Sequence, residues 1–383
     1  MEMQKLLQPE KREYTDAKTG RKVVQLTNSQ NPVIQNRHLY FTDNSFTTGD
    51  GEIIFTSNRL TERADEHQLF RMDLETGSME LICEDYINYT IWTKSPDSEI
   101  IVFLQGKKVY ALNTVTGVKT LVYEEIGDFT IASPFISPDK KYVGFARNEV
   151  VQKAHNTDYS NFDQTMCQIK KAYITIAYLD GSKHFDVHES THWMGHFQFS
   201  PDDPTIATFC HEGPWNLVMQ RIWLLDLVSR SVAPCYRQNA DDCVGHEFWT
   251  KDGLVFFDNR GKGHDGTITK SRKQALIQEE SSAIPIIGFA DKSGKVLRTL
   301  EMSFYCNHYH GNNDNTLLVG DAVDDLYLID ISTDKPKMEV LAHHGSSWVG
   351  YHMHPHPTFS WDNGKILYAT DKDGGLNLYM LEM

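Results

Sequence analysis

Residues 95–122 read SPDSEIIVFLQGKKVYALNTVTGVKTLV, and the spacing of their turn residues decides the fold. Ser-Pro-Asp opens a turn, and the apolar run at residues 100–104 that follows is rich in the β-branched types that favour strands. Gly106 interrupts that run, VYAL begins a second, and Thr-Gly at 116–117 turns the chain into a third, VKTLV. An amphipathic helix needs roughly 10 residues or more of unbroken 3.6-residue spacing. Turns this close together leave room only for short antiparallel strands joined by hairpins.

The same order recurs along the chain. It begins at TTGDGEIIFTSNR (47–59) with HQLFRMDLETGSMELI (67–82) and returns after residue 122 at SPDKKYVGFARNE (137–149) with KAYITIAYLDGSKHFDV (171–187). Four more copies follow, opening at SPDDPTIATFCHEG (200–213), TKDGLVFFDNR (250–260), NNDNTLLVGDA (312–322) and SWDNGKILYAT (360–370). Seven units with a period of roughly 40 to 60 residues, each of three or four short strands, are the signature of propeller blades. The sequence predicts an all-β, seven-bladed β-propeller occupying residues 1–383 as one domain. The seventh copy stops one strand short at the C-terminus, and the segment RKVVQLTNS, about residues 20–28, is expected to supply that strand and close the ring. No G-x-G-x-x-G or P-loop pattern is present, which disfavours a nucleotide-binding α/β fold. Two insertions, residues 150–171 in the third blade and 261–282 in the fifth, read as helical or loop excursions.

Composition narrows the function. A formal net charge of −15 argues against a nucleic-acid or anionic-membrane partner, since such binding rests on Lys and Arg. Apolar runs are far too short to cross a bilayer. The N-terminus mixes both charge signs without an apolar stretch, which points to the cytoplasm. Six cysteines without C-x-x-C spacing read as free thiols, in keeping with that compartment.

Histidines concentrate where strands end. His192 and His196, His211 beside Glu212, His246 beside Glu247, and His308 and His310 all sit at such places. WVGYHMHPHPTF (348–359) adds His352, His354 and His356 at every second position. If that stretch is extended, the three imidazoles share one face, about 6 to 7 Å apart. Pro355 and Pro357 stiffen it and exclude a central strand. Equivalent positions in successive blades point toward the central channel, so these residues are expected to converge there. Imidazole suits first-row transition ions rather than calcium. Three or four histidines of the last two blades, including His308, His354 and His356, are therefore expected to hold a divalent cation with coordination positions left open.

FCHEGP, RIWL, HEFW, C-x-H before GD, and SW followed by HPHP-x-F resemble the oligogalacturonate lyase family, as does the opening YTDAKTGRKVVQLT, so the resemblance spans essentially the whole chain. It implies a cytoplasmic propeller enzyme that degrades short pectin fragments with a divalent ion, usually manganese, held by His308, His354 and His356. The family completes its ligand set with glutamine where this chain has Tyr351; His352, next to it, is the expected replacement, with water or a changed metal preference as the alternatives. The resemblance also implies His246 as Brønsted base, Arg221 as an arginine near the substrate, and His211, Glu212, His196, Arg37 and His38 as residues around the substrate. His211 with Glu212 reads equally as a brace for the channel.

Chemistry supports that set. β-Elimination from a 4-linked uronate removes the C5 proton beside the carboxylate and expels O4, so negative charge grows on the carboxylate. A cation stabilises that charge, and a second contact from Arg221 would add to it. A largely neutral imidazole accepts the proton. Hydrolysis would need a pair of carboxylates flanking the bond, and none stands out. The alternatives are a lyase for a related uronate and a non-catalytic propeller scaffold.

Overall fold

The computed structural model describes residues 6–152, 162–260, 284–349 and 353–383. Seven antiparallel sheets form a seven-bladed β-propeller. The second blade is the stretch quoted first: Trp92–Lys94, Ile100–Gln105, Lys108–Asn113 and Lys119–Glu124. The recurring Ser-Pro-Asp is the hairpin between a blade's first two strands. Ser95 donates its hydroxyl to Asp97 at 2.5 Å, and the pairs Ser137–Asp139, Ser200–Asp202, Thr250–Asp252 and Ser360–Asp362 repeat the bond at 2.5–2.7 Å. Each first strand therefore precedes its copy of the motif.

Seven apolar clusters fill the seven interfaces between neighbouring blades. Strand alternation explains how one strand serves two of them: Ile101 and Phe103 pack toward the first blade, whereas Val102 and Leu104 pack toward the third. Both faces are buried, which is why these runs read as apolar without interruption.

In the seventh sheet Thr358–Phe359, Lys365–Thr370 and Asn377–Glu382 come from the C-terminus, and Lys22–Gln25 pairs with the last of them through Val23 opposite Leu381 and Val24 opposite Met380. Arg12–Thr15 adds a fifth, outermost strand that the repeat pattern does not suggest. The third-blade insertion contains a helix, Phe162–Gln168; its residues 153–161 and the fifth-blade insertion lie outside the described residues.

The seam between the third and fourth blades is tightly closed around Gly144. A Cβ there would stand 2.1 Å from a ring carbon of Phe197 and 2.9 Å from Ile176 Cδ1. Gly144→Ala is expected to destabilise the fold by about 1–3 kcal/mol, read as a lower denaturant midpoint.

Candidate active site and metal centre

Three channel-facing strands carry a bulge at the same place. Pairing slips between Ala132 and Phe135 in the third blade, Gly195 and Gln198 in the fourth, and Val244 and Glu247 in the fifth. A bulge breaks the two-residue alternation and re-aims a side chain. Here it turns Ser133, His196 and His246 toward one cavity of about 450 Å³, a size that suits a small ligand. Ser133 and His196 both have φ of 50°, a left-handed backbone that residues with a Cβ adopt at some cost. The hydrogen bond from His196 N–H to Ser133 Oγ, 2.9 Å, ties the two bulges together.

Arg37, His38, Glu212, Arg221, His308, His354 and His356 line the same cavity. His211 is not among its lining residues. It precedes Glu212 on the same strand end and so turns the other way: its ring stacks on His192 with centroids 4.4 Å apart, and its Nδ1 accepts from Trp223 Nε1 at 3.2 Å. His352 and Tyr351 lie outside the described residues.

His308, His354 and His356 each bring a ring nitrogen within 4.8 Å of the others. A cation with metal–nitrogen bonds of about 2.1 Å separates its ligand atoms by roughly 3 to 4 Å, so the trio fits one first-row ion after small adjustments. The stretch is not a regular extended strand, contrary to the alternation argument. His356 has φ of 46°, and its N–H points back to Asp321 Oδ2 at 3.3 Å. Asp321 is the organiser: it also accepts from the His308 backbone N–H at 2.6 Å and from His308 Nδ1–H at 2.9 Å, leaving Nε2 as the lone-pair nitrogen. A carboxylate behind a ligating histidine fixes its tautomer and raises its basicity. Burial raises the Asp321 pKa to about 7; a cation beyond His308 would favour its charged form. Asp321 directly faces His308 in the blade-six hairpin, so a register alignment of that hairpin would have revealed it.

His246 stands against this trio, its ring centroid 4.7 Å from that of His308. Phe41 and Trp215 pack edge-on against it, and its buried Nδ1 has no hydrogen-bond partner among the described residues. Burial lowers its pKa well below the ordinary value, and His308 and the Arg260 guanidinium lower it further. The ring is therefore neutral, with a lone pair available. Asp258 accepts the His246 backbone N–H. Arg260, fully buried, lies between the Trp215 and Tyr305 rings at 3.7 and 3.3 Å. Neither residue carries a spacing signal.

Arg221 is more committed than a free substrate clamp would be. Nε donates to Gly245 O at 2.6 Å and Nη2 to Glu212 Oε2 at 3.1 Å. It braces the bulge beside His246 while still facing the cavity. The guanidinium of Arg37 lies 4.6 Å over the Tyr89 ring, and His38 Nε2–H donates to Pro355 O at 3.1 Å, its buried Nδ1 having no hydrogen-bond partner among the described residues. His196, Cys210 and Glu247 form a second close group. There His196 and Arg221 lie against Glu212 and Glu247.

Fold and site together define a propeller with a histidine cluster in its channel that could hold a cation, and a neutral imidazole beside it. The chain belongs to the oligogalacturonate lyase family, whose model matches residues 1–383, and is a lyase acting on oligouronides. An oligogalacturonide lyase of Pectobacterium atrosepticum is 23% identical over 97% of this chain and 95% of its own length, and an oligogalacturonate lyase of Dickeya dadantii is equally similar. Among solved structures, an oligogalacturonate lyase in complex with manganese superimposes with a TM-score of 0.85 at 22% identity, covering 100% of this chain and 98% of that one. The enzyme from Vibrio parahaemolyticus gives 0.84 at 20% identity, with 99% and 98% covered.

Proposed function

We propose that residues 1–383 act as one propeller that cleaves short 4-linked galacturonate oligosaccharides by β-elimination, leaving a 4,5-unsaturated uronate. The observation that carries this reading is the neutral His246 imidazole standing 4.7 Å, ring to ring, from His308 of the three-histidine centre. Manganese, which the similar solved lyase contains, would be held by His308, His354 and His356, where it would supply several kcal/mol of charge withdrawal from the uronate carboxylate. His246 takes the C5 proton. Arg37 offers its guanidinium at the cavity wall to a second carboxylate, and His38, tied to Pro355 O, shapes the wall beside it. Arg221 and Glu212 hold the base-bearing bulge in place.

Among the described residues no helix is long and apolar enough to cross a membrane. The net charge of −15 and six free thiols support a cytoplasmic enzyme without a nucleic-acid partner. Incubation with di- and trigalacturonate in the presence of manganese is expected to give a product with the ultraviolet absorbance and mass of an unsaturated uronate. Turnover only of a differently linked uronate would redirect the substrate assignment, and no turnover of any uronate would leave the scaffold reading.

A further inference from the structure

β-Elimination has a second proton to account for. The C4–O4 bond breaks toward an alkoxide of high basicity, and a positioned acid lowers that barrier as the base lowers the first. The cavity holds two histidines in opposed surroundings. His246 Nδ1 has no hydrogen-bond partner among the described residues. His196, whose ring lies 6.3 Å from it and inclined by only 21°, donates Nδ1–H to Glu247 Oε1 at 2.9 Å. Glu247 is fully buried; its Oε1 faces His196 and, at 3.5 Å, Gln198 Nε2, and its other oxygen has no hydrogen-bond partner among the described residues. The second ring nitrogen, Nε2, stands 3.4 Å from Glu212 Oε1, too long for a well-formed hydrogen bond. Arg221 holds the other oxygen of that carboxylate, Oε2, at 3.1 Å. Nε2–H is thus a donor on a cavity-lining residue, held loosely by Glu212 Oε1.

We infer that His196 is the catalytic acid of the lyase, protonating the departing O4 through Nε2 while Glu247 holds the imidazolium from behind. The assignment rests on the β-elimination reading. As His246 accepts the C5 proton, the C5–H electrons form the C4=C5 bond, the C4–O4 pair leaves with oxygen, and that oxygen takes the His196 proton. His196 ends neutral, His246 ends protonated, and exchange with solvent restores both. A donor and an acceptor each within about 3 Å of the group they serve match two rings 6.3 Å apart across the reacting bond. The groups around His196 agree: burial lowers its pKa, but Glu247 and then Glu212 outweigh that and Arg221, and the net shift is upward. Tyr40 and His246 complete its ring contacts. Pairs of like groups pushed apart by their surroundings are how sites divide acid from base.

The test varies the leaving group. His196→Ala is expected to lose about 10²–10³-fold in kcat on trigalacturonate. On a galacturonate bearing 4-nitrophenol at O4, a group that departs without a proton, it should stay within a few-fold of the native enzyme, whereas His246→Gln should be slow on both. Glu247→Gln should move the alkaline limb of the native pH–rate profile to lower pH, because the protonated His196 loses its main support. Equal losses on both substrates would make His196 structural, and an unchanged rate on trigalacturonate would give the proton to water; either result overturns the assignment. A native enzyme inactive on both substrates would instead remove the lyase reading.

Discussion

Replacing His246 with glutamine is expected to lower kcat/KM on trigalacturonate by about 10³-fold, or roughly 4 kcal/mol of transition-state stabilisation. Glutamine keeps the polarity and approximate length of the side chain but accepts no proton. The site itself should survive, because what fixes this residue is its backbone: the N–H donates to Asp258, and the bulge between Val244 and Glu247 is braced by Arg221 at Gly245 O. The variant should therefore melt like the native protein and bind manganese with the same affinity. Native turnover by His246→Gln would take the base role from this residue. A large fall in melting temperature would assign the loss to misfolding.

Removing divalent metal is expected to abolish turnover, and adding manganese to restore it. The same ion should raise thermal stability, since a ligand that binds only the folded chain contributes about 2.7 kcal/mol at a hundred times its Kd. Asp321→Asn separates metal affinity from chemistry. It keeps a side chain of the same size opposite His308 but replaces the anionic acceptor of Nδ1–H and of two backbone N–H groups. Loss of such a carboxylate behind a ligand histidine typically weakens metal binding about 10–100-fold. Titration calorimetry should show that weakening, with kcat recovering at high manganese. Full activity in chelated protein shown by elemental analysis to be metal-free would refute the cation centre.

Local chemistry carried a great deal. Seven recurrences of an Asp-bearing turn with apolar runs announce blades, because a hairpin's hydrogen bonds and turn residues are short-range, and Ser95 with Asp97 makes the same bond as Ser360 with Asp362. The histidine trio followed from side-chain type and position in the repeat. The extended backbone expected of HPHP is broken at a left-handed His356, whose N–H donates to Asp321, and Pro355 O accepts from His38. Those partners are distant in sequence, and no periodicity encodes them.

The repeat, the charge balance and the clustering of imidazoles near strand ends were written in the chain. Telling the surroundings of His246 from those of His196 needed the ring closed. The difference lies in which buried carboxylates and guanidinium groups stand within a few ångströms, and those distances exist only once bulged strands from three blades face one channel. Adjacent residues made the same point: Glu212 reached the cavity and His211 did not, because neighbouring side chains on a strand face opposite ways.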